Sequence, residues 1–236
     1  MIPLRDENPT RTVPFVNHAL VAVNIAVFAY QVLLAVDGGP QATMAFIERL
    51  AVTPAVLLSP ASWSQAPVPP PATLMTSMFV HGSFLHLAGN MLYLWVFGDN
   101  IEDSMGHLKY LVFYIACGLG AAVAQVAVAP SSALPMVGAS GAIAGVLGAY
   151  LVLHPTNQVL TLVFLVIFIR VMYLPAVVLL GLWFIIQIFS ALNDGGGGVA
   201  WYAHIGGFLV GVLLIGIFAA SHRRPPRKRR NLHVVH

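Results

Sequence analysis

Apolar residues fall along the chain in blocks whose length suits a bilayer better than a soluble core. A spanning helix needs about 20 mostly apolar residues to cross roughly 30 Å of hydrocarbon. Six stretches reach or approach that length: 16–36, 84–101, 108–128, 139–153, 173–191 and 203–220. The pattern predicts an all-α polytopic membrane protein, six transmembrane helices forming one domain over 14–220, with a polar segment at 1–13 and a tail at 221–236. In the loop 37–83, Pro54, Pro60, Pro67, Pro69, Pro70 and Pro71 exclude a further spanning helix. Its part from Gln41 to Leu58 is apolar enough to lie along the membrane interface. Residues 158–172 are apolar from Val159 to Ile169 but too short to span, and are expected as an interfacial or re-entrant segment. A single tilted span over 159–190 would instead put Arg170 in lipid, at about 2.5–3.5 kcal/mol on the mildest scales.

Composition agrees with the block pattern. Of 236 residues 58% are hydrophobic and only 8% charged, too few charges to coat a soluble globule of this size. Mean hydropathy is +0.85. The net charge of +3 is concentrated in one run, Arg223, Arg224, Arg227, Lys228, Arg229 and Arg230, and without it the chain is slightly acidic. That distribution speaks against a nucleic-acid surface, which needs a basic face rather than a juxtamembrane cluster. It fits a cytoplasmic anchor, and the positive-inside rule with an even number of spans puts Arg5 and Arg11 on the same side. Both termini are then cytoplasmic, and the loops 37–83, 129–138 and 192–202 face outward with Arg49 as their only cation. Residues 1–15 do not read as a cleavable signal peptide. The single Cys117 excludes an intramolecular disulfide and a Cys-rich metal site.

Polar residues inside spans are costly and mark candidate sites. His86 and Asn90, in HGSFLHLAGN, are four apart and share one helix face, with His81 further outward. The same spacing also serves helix–helix hydrogen bonding. Ser140, in Gly138-Ala139-Ser140-Gly141, opens the fourth span, where unpaired N–H groups and the helix dipole suit a developing oxyanion. Simple capping is the alternative. The 14 residues from Ser140 to Leu153 give about 21 Å of helix, so Ser140 is expected below the outer surface. His204 lies on one face with Gly207 and Gly211, and Gly141, Gly145 and Gly148 offer span four a matching small-residue face. A lone His on an apolar helix is more often a packing residue, but packing those faces together would bring His204 within reach of Ser140, a base beside a hydroxyl or an accident of packing. Asp99, Glu102 and Asp103 lie at the other end of span two and Asp194 in a glycine-rich loop, so the expected unit is a Ser-His dyad. In it His204 accepts the Ser140 proton, and the Ser140 N–H, His86 and Asn90 hold the oxyanion.

These motifs, in this order, resemble the rhomboid family of intramembrane serine proteases over residues 14–220. HGSFLHLAGN is similar to the family's second-helix motif, Gly98-x-x-x-Glu102-x-x-x-Gly106 to the acidic turn that closes that helix, GASG to the nucleophile motif, and Ala203-His204-x-x-Gly207-x-x-x-Gly211 to the base-bearing helix. The resemblance implies Ser140 and His204 as catalytic residues, an oxyanion site of His86, Asn90 and Ser140, and support from His81, Gly138 and Gly141. It implies no cofactor or metal. It further implies peptide-bond cleavage in single-span membrane proteins near the outer face, at small residues in a helix-destabilised segment, in a prokaryotic inner membrane. Two departures stand out. The aromatic residue often found four after the nucleophile is Ala144, so something else must orient His204. The Trp-Arg pair of many first loops is absent, since Ser64 follows Trp63.

Other readings predict other observations. A noncatalytic rhomboid-like binder or escort of membrane clients is favoured by loss of Ser or His, and both are present. A haem or metal protein would use His86 and His204 as ligands. A polar-lined channel gives no reason for GASG beside AHIGG. The tight glycine faces of spans four and six place any substrate gate at span five and the outer loops.

Overall fold

The apolar blocks fold as helices close to the expected bounds. The computed structural model describes residues 1–165, 168–193 and 198–219. In chain order the elements are β1 (Ile2–Asp6), α1 (Phe15–Leu50), α2 (Pro54–Leu57), α3 (Pro70–Thr76), α4 (Phe84–Met105), α5 (His107–Val128), α6 (Ser140–Leu153), β2 (Gln158–Leu165), β3 (Phe168–Pro175), α7 (Ala176–Leu192) and α8 (Trp201–Ala219). Among the described residues, α1, α5 and α8 are long and apolar enough to cross a membrane, while α6 and α7 are shorter apolar helices. The basic run from Arg223 to Arg230 and Asp194 of the glycine-rich loop lie outside the described residues.

α6 is the axis of the bundle, with every residue from Gly141 to Tyr150 buried. It can be central because it is small. A Cβ on Gly207 would land on the Gly141 carbonyl, one on Gly211 on the Gly145 carbonyl, and one on Gly148 on the Phe208 carbonyl. The α6 and α8 backbones are therefore in direct contact, as the two small-residue faces predict. Leu94, Phe97, Tyr110, Phe113, Tyr114 and Leu147 fill the core around them.

Two segments differ from the sequence reading. Helix α1 does not stop near residue 36 but breaks at Gly39, whose φ of 72° a side chain would disfavour and which precedes Pro40. The chain then folds back, with the Thr43 hydroxyl donating to the Gln31 carbonyl (3.2 Å) and Tyr30 packing edge-on against Phe46 (5.4 Å). The stretch 158–172, to which the sequence assigned no strand, forms the antiparallel pair β2–β3, and β1 adds to the other edge of β2 in the order β1-β2-β3. Its Val, Thr, Ile, Phe and Tyr content favours strands, and side chains alternate along β2, with Val159, Thr161 and Val163 buried and Phe164 exposed. Arg170 is exposed on β3, so no long span carries it into lipid. The helical bundle thus carries one small sheet.

At the end of α4, Glu102 is fully buried and joins helices by accepting from the backbone N–H groups of Val16 (3.0 Å) and Asn17 (2.7 Å). Those N–H groups open α1, whose first turn has no side-chain cap of its own. Asn17 also donates to the Leu94 carbonyl (3.1 Å) and accepts from the Tyr110 hydroxyl (2.8 Å), and His107 contacts Glu102. The sequence motif around Glu102 is a clamp between α1, α4 and α5. From His86 to Glu102 is 16 residues along α4, about 24 Å, so the clamp is at the end of the bundle away from Ser140.

Candidate active site

Ser140 stands at the first position of α6, where the helix leaves its opening N–H groups without intrahelical partners. Because α6 has 14 residues against 22 in α4 and in α5, it is shorter than its neighbours by about 12 Å. The connection before it reaches inward. Val52 and Met136 exchange backbone hydrogen bonds of 3.0 and 2.8 Å, and the Gly138 N–H donates to the Ser77 carbonyl (2.9 Å). Gly138 has φ of 119°, and a Cβ there would sit 2.7 Å from the His86 ring and 3.6 Å from Asn90 Nδ2. Its lack of a side chain admits the His86 and Asn90 heads next to Ser140.

His204 lies in the first turn of α8, and its Nε2 is 2.8 Å from Ser140 Oγ. The glycine contacts set this distance, since Gly207 rests on the backbone of Gly141, the residue after Ser140. The other ring nitrogen, Nδ1, is 2.8 Å from Oε1 of Gln187 on α7. Trp183, one turn earlier on α7, lies 6.1 Å from the His204 ring at 37°, and Trp201 meets it edge-on at 6.0 Å. Ala144 is buried and offers no ring, so these groups from α7 and α8 surround the imidazole where an aromatic residue on α6 is missing. Both ring nitrogens of His204 are thus engaged, Nε2 by Ser140 and Nδ1 by Gln187. Among the described residues no group of three or more His, Cys, Asp or Glu side chains converges to hold a metal ion.

On the facing side, Ser83 caps α4 by accepting from the His86 N–H (3.2 Å). Asn90 follows one turn on, buried, and its Nδ2 has no hydrogen-bond partner among the described residues. A buried amide donor without a partner is costly unless something arrives to use it. His81 is fully buried and packs edge-on against His86 at 5.1 Å. Its backbone is held at both ends by the Gln31 side chain, which donates to the His81 carbonyl (2.9 Å) and accepts from its N–H (3.2 Å). His81 therefore backs His86 rather than entering the cavity. That cavity, about 570 Å3, is lined by Ser140, His204, His86, Asn90, Trp183 and Gln187 among others. Gln187 and Trp183 escaped the sequence reading, although a lone amide in span five is the same signal that drew attention to His86 and Asn90.

A rhomboid domain model matches residues 71–221, well over half of the chain. The chain belongs to the rhomboid family. It is 30% identical over 167 residues to the mitochondrial Rhomboid protein 1 of Saccharomyces cerevisiae, covering 67% of this chain and 44% of that protein. It is 29% identical over 210 residues to Rhomboid protease GluP of Bacillus subtilis, covering 88% of this chain and 34% of that protein. A third relative, the mitochondrial Presenilin-associated rhomboid-like protein of Bos taurus, is 35% identical over 97 residues, 40% of this chain and 26% of that protein. The chain thus spans less than half the length of these relatives. With its apolar helices, this rhomboid is an integral membrane protein.

Proposed function

We propose that this rhomboid is an intramembrane serine endopeptidase that cuts single-span membrane proteins in or near their transmembrane segment through a dyad of Ser140 and His204. The observation that carries the reading is the 2.8 Å contact between Ser140 Oγ and His204 Nε2 at the start of α6. Ser140 Oγ attacks the scissile carbonyl carbon as its proton passes to His204 Nε2. The carbonyl oxygen becomes an oxyanion facing Asn90 Nδ2, His86 and the Ser140 N–H. Collapse breaks the C–N bond, and the leaving amine takes the proton from His204. Water then gives a proton to the same nitrogen and adds to the acyl carbon, the bond from that carbon to Ser140 Oγ breaks, and Oγ takes the proton back from His204. Gly138 and Gly141 serve by being small, and His81 by holding His86. The unpartnered Asn90 donor supports this assignment, because the oxyanion is a partner that exists only during reaction.

The reading includes a six-span domain over 14–220 with both termini cytoplasmic and the site opening toward the outer face of a prokaryotic inner membrane. The distribution of cations supports this orientation. The test is labelling of detergent-solubilised protein by a fluorophosphonate, together with cleavage of a single-span reporter. Wild type is labelled and cuts, while Ser140→Ala and His204→Ala do neither and unfold at the wild-type temperature. Residual cleavage in a purified, folded Ser140→Ala refutes the dyad. An unlabelled, inactive but folded wild type supports the escort reading instead.

A further inference from the structure

We infer that Gln187 is a positioning residue that selects the reactive tautomer of His204, a role resting on the proposed Ser-His chemistry. For the Ser140 hydroxyl to donate to Nε2, that nitrogen must be unprotonated, so the ring proton must sit on Nδ1 and needs an acceptor there. Oε1 of Gln187 supplies it at 2.8 Å. An amide can present its NH2 instead of its oxygen, and that orientation would require Nδ1 to accept, move the proton to Nε2 and prevent His204 from acting as a base. The choice is made one turn back on α7. Gln187 Nε2 donates to the Trp183 carbonyl (3.1 Å), which can only accept, so the amide oxygen is left facing His204. Gln187 is 5% exposed, so bulk water does not take over its role.

This is the place that a carboxylate holds in a Ser-His-Asp triad, filled by a neutral amide. An amide fixes the tautomer and orientation and continues to accept from Nδ1–H when His204 becomes imidazolium. It supplies no negative charge. In the absence of a ring at Ala144, orientation comes from α7 through Gln187 and Trp183 rather than from α6.

The test compares wild type with Gln187→Met, which fills the space without accepting, and Gln187→Glu, which accepts with charge. Cleavage of the reporter is followed against pH, and the imidazole nitrogens are read by NMR of 15N-histidine protein, with His204→Ala to assign the signal. Gln187→Met is expected to lower kcat about 3- to 10-fold, the size of one net hydrogen bond, with KM unchanged. Gln187→Glu restores much of the loss and moves the acid limb of the pH profile upward, because a carboxylate favours imidazolium. In wild type the His204 signal shows Nδ1 protonated and Nε2 bare, and in Gln187→Met that distinction weakens. An active wild type with unchanged kinetics and pH limb in both variants overturns the Gln187 assignment alone. A wild-type spectrum with the proton on Nε2 overturns it whatever the activity. An inactive wild type with the expected spectrum sinks the protease reading and leaves the tautomer assignment standing.

Discussion

Replacing Gly207 by Ala tests the idea that backbone contact between α6 and α8 sets the distance from nucleophile to base. A Cβ at Gly207 falls on the carbonyl of Gly141, and real Cβ atoms essentially never come closer than 3.0 Å to such an atom. The obstacle is backbone in the middle of the core, so no rotamer change removes it. The helices must separate by on the order of 1 Å, an overpacking that costs about 1–3 kcal/mol. At roughly 2–4 °C per kcal/mol for a domain of this size, the unfolding midpoint falls by about 2–12 °C. His204 is one turn from Gly207, and Ser140 precedes Gly141, so the separation stretches the 2.8 Å contact directly. A misplacement of about 1 Å can cost 10²-fold in rate. The assay is the rate of fluorophosphonate labelling well below the midpoint, with thermal unfolding in the same detergent. Gly216→Ala is the control, since its Cβ meets nothing and a helical Ala is favoured over Gly by about 1 kcal/mol. If Gly207→Ala labels at the wild-type rate with the wild-type midpoint, the glycine faces do not set the geometry.

Asn90→Ala removes the unpartnered donor, so kcat should fall by about 10²–10³ while the unfolding midpoint stays within a degree or two, measured by reporter cleavage and thermal unfolding. A large loss of stability would mean that Asn90 is a packing residue. Asp6 lies outside the spans, in β1, and accepts from Asn100 Nδ2 (2.8 Å) and the Tyr150 hydroxyl (2.6 Å). Burial raises its carboxyl above the usual 3.8, so between that value and the raised one the folded protein holds a proton that the unfolded chain has lost. Stability from this group therefore grows as pH falls. Asp6→Asn keeps an acceptor and removes the charge, so thermal unfolding between pH 8 and 4 should show wild type gaining on the variant toward low pH. A constant difference across that range would refute the assignment.

The helices were legible because length and hydropathy decide them locally. Spans four and six were legible as a pair because Gly141, Gly145, Gly148, Gly207 and Gly211 repeat at helical spacing, and backbone contact is the physical use of such a repeat. The sheet was not legible. β1 pairs Ile2 with Leu162, and nothing local in 158–172 reports a partner at the other end of the chain. The break at Gly39 was not legible either, because the return of the chain onto Gln31 depends on Thr43 and Phe46, beyond the break, meeting the part of α1 before it. Ser140, His204, His86 and Asn90 could be named as polar residues in apolar helices, whereas Gln187 needed the α7–α8 packing to show what it faces.

Two kinds of joint hold the site, and they respond differently to load. α6 and α8 meet backbone to backbone, a contact that neither helix can relieve by moving a side chain. α7 meets α8 through rings, with Phe184 stacked on Phe208 at 4.3 Å and Trp183 tilted against it at 6.1 Å. If substrate enters the site, we expect α7 to give way before the α6–α8 contact does, and a disulfide locking α7 to α4 with no loss of reporter cleavage would refute this. Because Gln187 is on α7, displacing that helix also withdraws the acceptor from His204 Nδ1.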